Sequence, residues 1–326
     1  MADASARPAD TAASAAPADA TGSAAGHGLV DRLANHVPAW SLAVIAMLIW
    51  HVGSAISVSL IAAVGSAGTA WLRLSIGALI LIALYRPNVR GMDRSQLGAA
   101  VVMGAITGLM TLTFLATVER LPFGTAVAIG FMGPLALGVL GTRRVRDLAW
   151  PVFAILGVLA LTEPWKGDLD LLGIGFGVAN AATWALYIVM SQRVGGKFTG
   201  VEGLAIMLPV AAVVAGIAGV PAAIGHITWG VLGTAVLVAI LVVVLSFALD
   251  MLALRRLSTS TFGTISALQP GVGAIIGAVA LGQAPGPLSA LGTVLVVIAG
   301  VGVTRADAAR HAASQPPGLV PPATAS

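Results

Sequence analysis

Ten apolar stretches alternate with short polar connections along the chain, at roughly 40–60, 66–85, 96–118, 122–141, 147–162, 171–192, 202–224, 230–252, 260–282 and 286–304. Most approach or exceed the ~20 residues that carry a helix across a bilayer core. The pattern predicts an all-α integral membrane protein with ten transmembrane helices. Composition agrees. The chain is 58% hydrophobic and 9% charged, with a mean hydropathy of +0.97, whereas soluble domains are about a quarter charged. Lipid must therefore be the solvent for most of this surface.

The basic residues orient the spans. With the N-terminus inside, the inside connections hold Arg86, Arg90 and Arg94, then Arg143, Arg144 and Arg146, then Arg193 and Lys197, then Arg255 and Arg256. The tails add Arg7, Arg32, Arg305 and Arg310, making fourteen of the 17 basic residues. The outside connections hold only Arg120 and Lys166, and Arg73 lies within a span. The positive-inside rule then places both termini in the cytoplasm, in a multi-pass plasma-membrane protein. The pI near 10.3 reflects these loop arginines facing anionic headgroups, and no nucleic-acid partner is expected. Without cysteine there is no disulfide framework, thiolate metal site or thiol nucleophile.

Residues 1–37, rich in Ala, Pro, Asp and Ser, have no apolar block to serve as a signal-peptide core, and 305–326 is proline-rich. Both read as disordered tails. Trp40, Trp150, Trp165 and Trp229 fall at predicted helix ends, as headgroup-seeking rings should. Trp50, Trp71 and Trp184 fall inside spans and need another explanation.

The chain also contains a copy of part of itself. Residues 119–141 align without a gap onto 255–277, at a shift of 136. The matches are Arg120/Arg256, Leu121/Leu257, Thr125/Thr261, Ile129/Ile265, Pro134/Pro270 and Gly141/Gly277. Span four is thus paired with span nine. Five spans is an odd number, so the halves, 38–165 and 166–304, are expected to be inverted five-helix repeats with a site near midplane between them. Pro134 and Pro270 each remove a backbone donor, which a membrane helix tolerates where protein or a water-filled cavity surrounds it. They are candidate helix breaks at the site or plain structural kinks. The spacings Gly104/Gly108 and Gly273/Gly277 read as helix packing.

Several segments resemble a known family. The run GTAVAIGFMGPLALGVLGTRR, from Gly124 to Arg144, is similar to spans four and five of the bacterial threonine/homoserine exporters. These belong to the EamA branch of the drug/metabolite transporter superfamily. ATWALYIVMSQR (182–193) and LDMLALRRLSTSTFGTISALQP (249–270) resemble later parts of the same proteins. The resemblance covers about 40–304 and implies a ten-helix inverted-repeat carrier exporting small amino acids or related metabolites, driven by the proton gradient. It also exposes departures. Those exporters carry glutamate where this chain has Gly130, Gln269 and Gln283, and glutamine cannot titrate or attract an ammonium as a full charge.

Polar residues inside the spans are the candidate site. A charge at bilayer depth costs roughly 2.5–3.5 kcal/mol on insertion scales and usually faces the bundle interior. Arg73 sits near the middle of span two, where the family also has arginine; its planar fork suits a substrate carboxylate, or it ties helices together. His51 shares a helix face with Ser54 and is the only histidine deep in a span. It is either a proton carrier or a neutral histidine bonded to a neighbour. Asp250, where the family has an acid, is a second proton-coupling candidate or a partner for Arg255. Asn180, Thr183, Tyr187 and Ser191 form a stripe in span six beside Trp184, and Thr261, Thr264 and Gln269 lie in span nine. Each set either lines a path or makes interhelical bonds. Glu119, Glu163, Asp168 and Asp170 read as solvated surface charges.

The expected function is a secondary transporter that exports threonine- or homoserine-like amino acids by alternating access, with protons as the candidate coupling ion. Its partners would be a small-molecule substrate and the bilayer, and the chain a monomer or homodimer. An exporter of another metabolite or drug, and an uncoupled facilitator, are the rivals. No catalytic motif, P-loop, cofactor site or metal site is seen, so an enzyme is not expected.

Overall fold

The computed structural model describes residues 38–87, 91–140, 149–163, 165, 170–194, 200–254, 256–257 and 259–314. The helical body begins at Ala39. Residues 1–37 and 315–326 lie outside the described set, as do the loops holding Arg90, Arg143, Arg144, Arg146, Lys166, Asp168, Lys197 and Arg255.

Every described element is helical. In chain order they are α1 (Ala39–Tyr85), α2 (Arg94–Arg120), α3 (Phe123–Leu140), α4 (Ala149–Thr162), α5 (Leu171–Val194) and α6 (Gly200–Ala223). Then come α7 (Trp229–Val238), a π-helical segment (Ala239–Leu245), α8 (Ser246–Leu254), α9 (Thr259–Ser266), α10 (Gln269–Leu281) and α11 (Pro287–Ser314). Seven segments are long and apolar enough to cross a membrane; α3 and α4 are shorter apolar helices. No strand occurs among the described residues. The chain is a multi-pass membrane protein of the plasma membrane.

Four local features differ from the plain pattern of apolar stretches. Spans one and two are not separated by a loop, because α1 runs through both and only Gly65 (φ 72°, ψ 169°) leaves helical geometry. That left-handed position suits glycine, and Thr69 donates to its freed carbonyl at 2.8 Å. Span eight carries the π segment, packed against α1 where glycines leave room: a Cβ at Gly53 would meet Val242 Cγ2 at 2.6 Å, and one at Gly77 would meet Val243 Cγ1 at 2.8 Å. Span nine is broken into α9 and α10, with Pro270 in the first turn of the second piece. Finally α11 runs to Ser314, so the expected tail is corrected over 305–314, where helix continues into the basic and alanine-rich segment.

Helix ends and packing follow simple chemistry. Asp93 and Gln96 form a reciprocal capping box on α2, at 2.6 and 3.1 Å. Several hydroxyls inside the bundle, Ser57, Thr117 and Ser246 among them, donate to the carbonyl four residues back, which satisfies them without a second helix. Glycines bring backbones together: Cβ atoms at Gly104 and Gly108 would lie 2.5 and 2.8 Å from the Met207 and Ala211 carbonyls of α6. Gly273 faces Val127, and Gly124 faces Ala274, so α3 and α10 cross at small residues. The apolar surface away from these contacts, including Ile217 and Val279, is widely exposed, as a lipid-facing surface should be.

The tryptophans divide by environment. Trp40, Trp165 and Trp229 are exposed at helix ends. Trp71 packs on Gly216 and Gly219, and Trp150 on Gly302.

Candidate functional site

The helices line a partly open cavity of about 1240 Å³ whose walls come from α1 to α3, α5, α6, the π segment, α8, α9, α10 and α11. Of the residues expected at the site, Arg73, His51, Asn180, Trp184, Tyr187, Gln269 and Asp250 line it, and so does Pro134. Thr264 and Pro270 do not. Thr264 turns off the lining face while its neighbours Gly263, Ile265 and Ser266 stay on it. Pro270 is buried in the first turn of α10, where its missing donor is one that turn leaves unpaired anyway.

Arg73 is the most demanding group. It is 4% exposed, and its Nε and Nη1 have no hydrogen-bond partner. A buried, unpaired guanidinium is costly, and no carboxylate pairs with it among the described residues. His51 is wholly buried, one helix turn above Met47, whose carbonyl lies 2.8 Å from Nδ1. A carbonyl can only accept, so Nδ1 carries the hydrogen. Nε2 then sits near the Gln269 backbone with no partner in hydrogen-bonding geometry. Ser54 Oγ, on the same face, is also unpartnered. Asp250 makes no ion pair among the described residues, and Arg255, its expected alternative partner, lies outside them.

The α5 stripe is turned relative to expectation. Asn180, Trp184, Tyr187 and Gln192 face the cavity, whereas Thr183 and Ser191 do not. Their hydroxyls donate within their own helix, Thr183 to Ala179 at 2.9 Å and Ser191 to Ile188 at 2.8 Å. Asn180 is buried against Gly130: a Cβ there would collide with its amide nitrogen. The empty side chain at 130 and the amide at 180 therefore share one space, and the glutamate that the resemblance puts at 130 would have to displace Asn180. Thr107, Thr111, Ser246 and Ser266 line the cavity without having been anticipated. Thr107 and Thr111, one turn apart in α2, carried the signal. Seven aromatic residues complete the wall: Trp50, Phe114, Phe131, Trp184, Tyr187, Phe247 and Phe262.

At the other end of the helices, expected surface charges make specific contacts. Glu119 accepts from Ser66 at 2.6 Å, and Glu163 accepts from Ser289 at 3.1 Å. Asp170 caps α5, accepting from the Gly173 amide at 2.8 Å, and pairs with Arg120 at 3.2 Å. The reading of these three as merely solvated is thus corrected; Asp168 lies outside the described residues. The Gly173 amide, helped by Arg120, holds the Asp170 carboxyl below its ordinary value. A depressed carboxyl stabilises above its unfolded pKa and loses that contribution as pH falls through the folded one. Asp170→Asn keeps a capping oxygen and should melt close to wild type at neutral pH, while Asp170→Ala should melt lower. Thermal melts of both variants from neutral to acid pH check this: wild type should lose part of its advantage over Asp170→Ala at the acid end, while Asp170→Ala and Asp170→Asn themselves change little relative to each other.

Comparison with known proteins fits this architecture. The EamA-like transporter family model matches residues 171–305. The threonine/homoserine exporter RhtA of Escherichia coli strain K12 is 34% identical over 280 residues, covering 82% of this chain and 92% of that one. RhtA of Salmonella typhimurium strain LT2 is 34% identical over 281 residues, with the same coverage. The chain belongs to the EamA-like transporter family. A solved crystal structure shares the fold at 22% identity and a TM-score of 0.57, over 83% of this chain and 98% of that one. Family membership points to a transporter rather than an enzyme.

Proposed function

We propose that this protein exports a small zwitterionic amino acid of the threonine/homoserine kind by alternating access between two inverted five-helix halves. Both ends of the chain are cytoplasmic in this reading, because the inside connections carry the arginines. The observation that carries it is Arg73: a buried guanidinium with free donors on the wall of a large cavity, in a relative of threonine/homoserine exporters. An arriving carboxylate would supply the partner that the fold withholds. Asn180, Tyr187 and Gln269 would bond the polar remainder of the substrate. His51 or Asp250 would take the coupling proton, replacing the glutamates that the resemblance leads one to expect. The packing of α3 against α10, which carries the later part of the segment that the internal repeat matches to α3, supports a pseudo-twofold arrangement of the halves.

A second reading has its own observation. Seven aromatic side chains line a cavity far larger than one threonine, which favours a bulkier, ring-bearing solute. Counterflow in proteoliposomes separates the two. Vesicles preloaded with threonine, homoserine or an aromatic amino acid should exchange the cognate substrate saturably, and an imposed pH gradient should accelerate net export. Exchange of only the aromatic solute would move the assignment to the second reading. Indifference to the gradient would remove the proton.

A further inference from the structure

The helix α3 starts without a cap of its own. Leu121 and Pro122 precede Phe123 and offer no side-chain acceptor, and the first intrahelical bond is Ala126 N–H to Pro122 at 2.9 Å. Early helix amides of this kind are orphan donors. The Phe123 amide is nonetheless satisfied, because it donates to Gln283 Oε1 at 2.8 Å, across 160 residues of sequence. The end of α10 is shaped for this bond. Gly282 takes the left-handed conformation (φ 66°) and Gln283 N–H donates back to the Gly277 carbonyl at 2.9 Å, which reverses the chain and fixes the Gln283 backbone. Gly277 leaves the path clear: a Cβ there would lie 3.5 Å from Gln283 Oε1.

Phe123 is not an ordinary first residue. It is fully buried, and its ring stands 6.1 Å from His51 and 6.4 Å from Phe114. Trp50 closes the cluster, 4.9 Å from His51 and 5.2 Å from Phe114. Trp50, His51 and Phe114 line the cavity, whereas Phe123 does not. Phe123 is therefore the layer behind the cavity wall. The opposite end of the cavity is walled by Gly138, Gln192, Asp250, Phe262, Thr304 and Ala308, from the ends of α3, α5, α8, α9 and α11 that the proposed topology puts on the cytoplasmic side.

The geometry points to Gln283 as the latch of an outer gate: it clamps the first turn of α3 so that the Phe123 ring plugs the cavity against the outside. The inference rests on the proposed alternating access and its orientation, and it gives a residue outside the cavity a positioning role in transport. Three further bridges join helices at the same side, Arg120–Asp170, Glu163–Ser289 and Ser66–Glu119. The first is a half-exposed ion pair, a class that contributes little, so the Phe123–Gln283 bond is the better candidate for control.

The absence of cysteine gives a clean test in intact cells making the full chain. A single reporter, Thr111→Cys on the cavity wall, is labelled from outside with a membrane-impermeant maleimide. Gln283→Ala and the size-matched Gln283→Leu should each raise outside labelling about fivefold, the population equivalent of one net hydrogen bond. Gln283→Glu keeps an acceptor at a helix N-terminus and should return it to the wild-type level. Unchanged labelling in both Ala and Leu variants, or a Glu variant as open as they are, overturns the latch. Threonine counterflow on the same variants keeps the two ideas apart. If labelling responds while the wild type exchanges no threonine, the latch stands and the substrate assignment falls. A wild-type reporter reached only from outside would reverse the orientation, and the latch would then require the rise on the cytoplasmic side.

Discussion

Arg73→Ala should abolish saturable threonine exchange while leaving the protein at least as stable as wild type. Hydrogen bonds to charged groups contribute about 1.5–3 kcal/mol each, so losing a bidentate carboxylate contact should lower exchange by at least tenfold. Arg73→Lys keeps the charge but not the planar fork, and should recover only a minor part. The stability half of the expectation is the discriminating one. Arg73 has no partner for Nε or Nη1, so Arg73→Leu removes an unpaired buried cation rather than a tie between helices. Counterflow and thermal melting on the same preparations would check it. A large drop in melting temperature would mean that Arg73 holds helices together, and the carboxylate role would fall with it.

The second large effect concerns folding. Gly133→Leu should give no recoverable protein, and Gly133→Ala should melt many degrees lower. A Cβ at Gly133 would collide with the Ala181 carbonyl, where α3 meets α5. Overpacking a core typically costs 1–3 kcal/mol, and a backbone carbonyl, unlike a side chain, has no rotamer into which to retreat. Gly98→Ala is the matching control. It lies exposed in α2 with nothing within 4 Å of the new methyl, so better helix propensity should leave stability equal or slightly higher. Fluorescence-detected size exclusion after graded heating measures both. A Gly133→Ala protein as stable as Gly98→Ala would show that α3 and α5 are not held at backbone distance.

Much of this architecture is legible in the sequence, for definite reasons. Apolar run length marks the spans because lipid imposes it, and lone polar residues inside them point to the cavity because nothing else at that depth can solvate them. Arg73, His51 and Asn180 were found that way. What the sequence conceals is phase. The one-residue difference between Thr183 and Trp184 decides which lines the cavity, and hydroxyls bonded to their own helix make Thr183 and Ser191 indistinguishable from wall residues in a linear reading. Likewise, the repeat equates Pro134 with Pro270, yet α3 continues through the first and span nine breaks ahead of the second. Gln283 looked like a missing charge from a binding site. Its partner is a backbone amide 160 residues away, which no local pattern can announce.

The wide turn at Ala239–Leu245 bears on how such a chain can change over generations. A π segment stores one residue more than an α-helix of the same rise would need. Losing one residue there would straighten the helix and leave both flanks facing as before, with Val238 still buried and Asp250 still on the cavity. The same loss in Trp229–Val238 would turn everything before it by about 100° relative to its neighbours. Span eight thus has one stretch where length can drift without rewriting the wall, and comparison of related chains should find their insertions and deletions gathered there.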